Sequence, residues 1–417
     1  MREMKESGIS WVGEIPKEWS VKRAKYCFVN TKEIAGCMSD RYERLALTMN
    51  GVIKRSKDDS NGLQPEKFET YQILRPDELV FKLIDLQNVS TSRVGLSPYL
   101  GLVSPAYIIL KSNKRVLPAF AEKYFLMLWK NQIFNALGDA GVRSNLNSKD
   151  LLELSIPFPT LDEQQRIAEF LDRECGKIDG LKVDIQAQID TLEQYKRSVI
   201  TEAVTHGLNP SAPMKDSGIP WVGQFPTHWT KKKGKYILRY MSKPVKQDDG
   251  VITCFRDGEV TLRSNRREDG FTMADKEIGY QGVDVGDLVV HGMDGFAGAI
   301  GISDSRGKAS PVLNVLNTKQ NKKYIMYYLR SMAYGEVFTA LSTGIRVRSC
   351  DLRWNKLAEL LYPLPPIDEQ NNIVNYIDKQ ISRTNEIIAD KKSQIETLDG
   401  YKKSLIYEYV TGKKEVV

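Results

Sequence analysis

"PFPTLDEQQRIAEFLDRECGKIDGLKVDIQAQIDTLEQYKRSVITEAVT", residues 157–205, is echoed 206 positions later by "PLPPIDEQNNIVNYIDKQISRTNEIIADKKSQIETLDGYKKSLIYEYVT", residues 363–411. Both open on P-x-P-x-[LI]-D-E-Q, share T-L-x-x-Y-K-[RK]-S and close on V-T. Each reads as one long helix. Pro157 and Pro159 precede it, Asp162 and Glu163 fall in a first turn where carboxylates suit the helix dipole, and the next proline is Pro210. Apolar residues recur at steps of three and four through Ile178, Leu181, Ile185, Ile189, Leu192, Tyr195 and Val199. In the second copy Ile381, Ile388, Ile395, Leu398 and Leu405 keep a near-heptad spacing, with Thr384 and Lys391 at weaker positions. That is a coiled-coil seam rather than a broad core stripe. About 44 residues at about 1.5 Å each make a rod of roughly 65 Å. A lone rod with one apolar seam is poorly stabilised, and each copy offers the other a partner. A duplicated unit with local twofold symmetry closes by pairing them antiparallel.

The duplication extends to the rest of the chain. "SGISWVGEIPKEWS" (7–20) returns as "SGIPWVGQFPTHWT" (217–230), eight of fourteen positions being identical. The stretches between are related more distantly: "PDELVFKLID" (76–85) to "VGDLVVHGMD" (285–294), and "LVSPAYIIL" (102–110) to "KASPVLNVL" (308–316). Each reads as short strands and turns followed by a helix. The expected fold is therefore α+β with a pseudo-twofold internal repeat: two related domains of mixed α/β structure and two long helices pairing as an antiparallel coiled coil. The segments run 1–20 scaffold, 21–156 first variable domain, 157–207 central helix, 208–230 linker and repeated scaffold, 231–362 second variable domain, 363–417 C-terminal helix.

Net charge is +7, and its distribution is more informative than its size. Residues 21–156 carry 20 Lys and Arg against 14 Asp and Glu, and residues 231–362 carry 22 against 15, whereas both helical segments are mildly acidic. Two cationic heads on an acidic scaffold point to nucleic acid. Catalytic signatures fail one by one. "GISDSRGKA" (301–309) imitates a phosphate loop, but its glycines enclose five residues and Ala309 stands where a magnesium-holding Ser or Thr is needed. "GFAGAIG" (295–301) has glycines three apart and follows no βαβ pattern. The one Pro-Pro leads into a helix rather than forming a methyltransferase motif, and no acidic cluster with a following lysine suggests a nuclease. The five scattered cysteines form no C-x-x-C pair, which argues for a reducing, cytoplasmic setting and against structural zinc. Neither a secretory leader nor a membrane-spanning run is visible.

The words "SGI.WVG..P..W" and "P.P..DEQ.RIA..LD", each written twice in a head-and-rod plan, resemble the specificity subunit of type I restriction–modification systems over essentially the whole chain. The second copy departs slightly, with "DEQNNIV" for "DEQQRIA". The resemblance implies a non-catalytic subunit whose variable stretches are target recognition domains, each reading half of a split double-stranded DNA target. It implies rods that set the spacing and dock two methyltransferase subunits. S-adenosylmethionine, ATP and Mg are then expected on partner subunits, including restriction/translocase subunits, and none on this chain. Two rival readings are a DNA-modifying enzyme with an unrecognised site, active alone, and a coiled-coil scaffold without sequence-specific DNA contact.

Reading bases needs Arg, Lys, Asn or Gln at groove edges. In the first head the polar loops offer Lys54, Arg55, Lys57, Gln87, Asn88, Arg93, Arg143 and Asn145. In the second, "RDGEVTLRSNRRED" (256–269) and later loops offer Arg263, Asn265, Arg266, Arg267, His291, Arg306, Arg346 and Arg348. Arg143 and Arg346 stand at matching places and suit phosphate clamps. For the scaffold and partner docking, the repeated Trp11, Trp19, Trp221 and Trp229 join Asp162, Glu163, Gln164, Asp368, Glu369 and Gln370.

Overall fold

The computed structural model describes residues 2–59, 67–86, 92–138, 145–266, 278–341 and 352–416. The chain divides into two compact units, one of Met1–Ile185 with Lys392–Val417 and one of Gln186–Lys391. Each unit thus takes one head and part of each long helix.

The heads share an inner layer. In the first, a four-stranded antiparallel sheet runs Phe28–Thr31, Ile108–Ser112, Leu79–Phe81, Val94–Leu96. In the second the same order appears as Leu238–Tyr240, Leu313–Thr318, Leu288–His291, Ile300–Ile302. A thirteen-residue helix belongs to each core, Pro118–Lys130 in one and Lys322–Tyr334 in the other. The outer layers differ. The first head has a second four-stranded sheet ordered Gly51–Arg55, Arg44–Thr48, Gly101–Val103, Gln72–Leu74. The second head has two separate ribbons, Ile252–Cys254 with Val260–Leu262 and Gln281–Val283 with Gly307–Ala309.

Each head enters and leaves the scaffold at one place. Ser20–Arg23 pairs antiparallel with Ser155–Phe158, and Thr230–Lys233 with Leu361–Leu364. The entering strand lies against the strand that leads into the long helix, so a head can vary without disturbing its mount. The same ion pairs guard both mounts: Glu153 takes Arg23 and Lys25 at 2.7 Å each, and Glu359 takes Lys233 and Lys235 at 2.7 and 2.8 Å.

The long helices are Leu161–His206 and Ile367–Val410. In the first unit Phe170 packs on Tyr409, Asp179 meets Lys402 at 2.6 Å, and Lys182 meets Asp399 at 2.5 Å. In the second unit Lys391 donates to Gln188. Partner numbers fall as the others rise, so the pairing is antiparallel.

The seam differs from the sequence expectation at two residues. Buried and half-buried positions run Ile178, Lys182, Ile185, Ile189, Leu192, Lys196 on one helix and Ile381, Thr384, Ile388, Lys391, Ile395, Leu398, Lys402, Leu405 on the other. Lys182 and Lys402 lay their stems in the seam and carry their amines out to carboxylates. Leu181 and Tyr195 therefore fall beside it, 52% and 48% exposed, as do their counterparts Ile387 and Tyr401 at 41% and 57%. All four occupy the same flanking heptad position. The pairs Asp179–Lys402 and Lys182–Asp399 bracket Leu181 and Tyr401 from two sides. Each unit thus carries one aliphatic and one aromatic side chain on its outer helical flank.

Each long helix ends on a left-handed glycine, Gly207 at φ 78° and Gly412 at φ 72°. A Cβ on Gly207 would lie 3.1 Å from Trp229 Cζ2, and one on Gly412 would lie 2.9 Å from Trp19 Cη2. Glycine is needed both for the turn and for the close approach.

Candidate nucleic-acid interface

The repeated scaffold residues form one circuit, built twice. Trp19 Nε1 donates to Glu163 at 2.9 Å, and Trp229 Nε1 to Glu369 at 3.0 Å. Trp11 Nε1 donates to the Tyr124 hydroxyl at 3.1 Å, which donates to the Ser155 carbonyl. Trp221, Tyr328 and Leu361 repeat this chain. Burial pushes both tyrosines well above their ordinary pKa, so they remain hydroxyl donors at any working pH. Gln164 accepts from the Leu117 backbone N–H at 2.8 Å and donates to the Pro159 carbonyl at 3.0 Å. Gln370 does the same for Asn321 and Pro365, at 3.0 and 2.9 Å. Leu117 and Asn321 are the N-caps of the head helices.

The D-E-Q word thus works inside the chain: its Glu holds the tryptophan and its Gln caps the head helix. This corrects the expectation of partner docking for Trp19, Trp229, Glu163, Gln164 and Gln370, which are buried. Trp11, Trp221 and Glu369 are half-buried with internal partners, and Asp162 and Asp368 are exposed. Repetition alone does not separate a surface needed by two partners from a joint the chain makes twice.

Among the proposed DNA contacts of the first head, Lys54 is exposed at the strand Gly51–Arg55, paired with Glu43 at 2.6 Å and 5.5 Å from the Tyr99 ring centre. Arg55 pairs with Asp59 at 2.6 Å, and Lys57 donates to the Ser39 carbonyl at 2.8 Å. Asn145 is exposed and accepts from the Asp85 N–H at 3.0 Å. Arg93 is a correction. It is fully buried and donates to the backbone carbonyls of Ile84 and Asp85 at 3.1 and 2.5 Å. Burial lowers its pKa, and it shapes the turn leading into residues 87–91 instead of meeting DNA.

In the second head several expected residues gather around one cleft of about 690 Å³, lined by Thr253, Arg256, Arg263, Arg266, His291 and Ser310. Arg263 Nε reaches Thr253 Oγ1 at 3.4 Å, and Arg266 sits between Asp257 (2.6 Å) and Glu259 (3.1 Å), 4.2 Å over Phe255. Asn265 donates to Thr261 Oγ1 at 2.9 Å. His291 Nδ1 accepts from the N–H groups of Met293 and Asp294, at 3.2 and 2.9 Å, which assigns its proton to Nε2. Burial lowers its pKa, so the ring is neutral at pH 7.

Arg306 is a second correction. It is clamped by Asp249 at 2.8 Å, Asp284 at 2.5 Å and the Pro244 carbonyl at 3.1 Å, a structural staple rather than a reader. Gln87, Asn88, Arg143, Arg267, Arg346 and Arg348 lie outside the described residues. Sequence reasoning passed over Arg256 and Ser310, although Arg256 stands in the same basic stretch. It also passed over Tyr26 and Tyr236, which are 55% and 72% exposed at the same place on both heads.

Asp257 and Asp294 also line the cleft, and Asp294 pairs with Arg256 at 2.9 Å. The three guanidiniums and two hydroxyls of the cleft therefore offer donors to phosphate oxygens or the acceptor edge of guanine at the exchange of internal ion pairs. Among the described residues no group of three or more His, Cys, Asp or Glu is placed to hold a metal ion, and no helix is long and apolar enough to cross a membrane.

Residues 83–191 match the family model described as the type I restriction modification DNA specificity domain. The chain is 23% identical to the putative type I restriction enzyme MjaX specificity subunit of Methanocaldococcus jannaschii, over 97% of this chain and 96% of that one. It is 19% identical to the type I restriction enzyme StySPI specificity subunit of Salmonella potsdam, over 85% and 81% of the two chains. In fold it is similar to a chain from a solved type I R-M system studied for its complex assembly and conformational transition. The TM-score is 0.67 at 13% identity, over 96% and 99% of the two chains.

Proposed function

We propose that this chain, which belongs to the specificity subunits of type I restriction–modification systems, reads an asymmetric, two-part DNA target through its two heads. One observation carries the asymmetry: the heads share the inner sheet strand for strand and differ in the outer layer. Recognition domains of one fold with unlike reading surfaces call for unlike half-sites separated by unread bases. The cleft around Arg256, Arg263, Arg266 and His291 is the proposed reading surface of the second head, with Lys54, Arg55, Lys57 and Asn145 marking that of the first.

The chain is proposed to catalyse nothing itself. Two methyltransferase subunits would supply S-adenosylmethionine and adenine methylation, and restriction/translocase subunits would supply ATP- and Mg-dependent cutting. The flanks bearing Leu181 with Tyr401 and Ile387 with Tyr195 support docking of two copies of one partner, since the same apolar pair is offered once in each unit. Burying such a pair is worth about 2–4 kcal/mol.

Co-expression with a methyltransferase subunit and mapping of methylated adenines tests the reading. The expected result is one asymmetric bipartite motif, lost when this chain is omitted. Methylation indifferent to the chain would remove the specificity role.

A further inference from the structure

We infer that the second unit carries an anion pocket for a nucleoside phosphate, adjoining the DNA-reading cleft. A cavity of about 800 Å³ opens between the head helix Lys322–Tyr334 and the two long helices, a volume suited to a small ligand. Among the cations of its wall, Lys196 is paired with Glu193 and Arg256 with Asp294, whereas the guanidiniums of Arg197 and Arg330 lie 5.3 and 5.8 Å from the Tyr334 ring centre. Neither forms an ion pair among the described residues, although Glu193, Asp257 and Glu336 also line the cavity. Glu193 is taken by Lys196 at 3.0 Å and Asp257 by Arg266 at 2.6 Å, which leaves two cations facing Glu336. Arg330 is held in place, donating from Nε to the Tyr334 hydroxyl at 2.9 Å and from a terminal nitrogen to the Asp257 carbonyl at 2.7 Å. Ile200, Phe296, Ala333 and Ile381 add an apolar wall. Two guanidiniums beside one tyrosine ring offer a phosphate positive charge and the forked donors of Arg197, and the apolar wall takes a flat base.

The duplication supplies an internal control. At the place of Ala333 and Tyr334 the first unit has Trp129 and Lys130. Trp129 is buried, and the Lys130 amine lies over its ring at 4.5 Å. The shared fold therefore does not require an open space here. Where the first unit buries Trp129, the second has Ala333 lining the cavity. The pocket meets the reading cleft at Arg256 and Asp257, which line both.

Titration calorimetry of the full chain at low salt tests this with ATP, tripolyphosphate and adenosine as separate probes. The expected order is ATP tightest, tripolyphosphate weaker and adenosine weakest. Arg197→Ala should weaken ATP at least tenfold, and Ala333→Trp, copying the first unit, should abolish it. Arg197 is exposed and makes no hydrogen bond among the described residues, so its variant tests the pocket even if Ala333→Trp fails to fold. No heat with ATP, or unchanged affinity in Arg197→Ala, overturns the proposal. Weakening of duplex DNA of unrelated sequence by Arg197→Ala, as large as the weakening of ATP, would overturn it too, reassigning Arg197 to the DNA backbone.

Discussion

Glu163 and Glu369 show how a repeated residue keeps one partner and changes another. Both accept from a tryptophan indole, but the second oxygen faces Arg2 in one copy and His228, at 2.8 Å, in the other. The glutamines beside them carry the head helix, and Gln370→Ala strands the Asn321 N–H. A cost of about 2 kcal/mol, read as a lower unfolding midpoint, is expected; no change would mean water replaces the side chain. The staple at Arg306 gives a pH prediction. Its guanidinium holds the Asp249 carboxyl down at about 2, below the unfolded value of about 3.9. That stabilisation is fully present above about pH 4 and is lost as pH falls toward about 2. Arg306→Ala should therefore destabilise the second unit at neutral pH while flattening its acid dependence in that window, as followed by circular dichroism. Arg93→Ala should lower stability and leave the salt dependence of DNA binding unchanged, whereas removing a cation that neutralises a phosphate would reduce the slope by about one. The sequence shows charge at positions 93 and 306 but not that carbonyls and carboxylates converge on them from elsewhere. That is why both read as DNA contacts.

The long helices were legible as elements because proline, first-turn carboxylates and heptad spacing agree over more than forty residues. Their seam was misjudged where Lys182 and Lys196 sit in it, since a lysine stem packs like an aliphatic chain while reading as polar. The outer layers of the heads were not legible at all. Their strands are mostly three to five residues long, too short for alternation to declare itself, and apart from the hairpins Arg44–Arg55 and Ile252–Leu262 they pair with strands distant in sequence. Leu181→Asp with Tyr401→Asp should remove one partner copy and leave the other. Ile387→Asp with Tyr195→Asp should do the reverse. Native mass spectrometry of the complex reads the stoichiometry, and retention of both copies in either variant would place docking elsewhere.

For the molecule as a whole, the proposed spacer role makes a length prediction. Inserting one heptad after Ile185 and another after Lys391 keeps the seam in phase and adds about 10.5 Å to each helix. The unread gap in the methylated motif should grow by about three base pairs at about 3.4 Å each. An unchanged gap would show that the helices do not measure it. The first unit is also stitched from both ends of the chain. Arg2 bridges to Glu415, Tyr407 donates to the Val12 carbonyl, and Gly412 sits on Trp19. The second unit is a contiguous run. On a ribosome the earlier-made head therefore lacks the contacts of the last helix, Gly412 on Trp19 among them, until that helix emerges, while the later head can finish beforehand. A nonsense codon after position 391 would then spare the half made last and cripple the half made first.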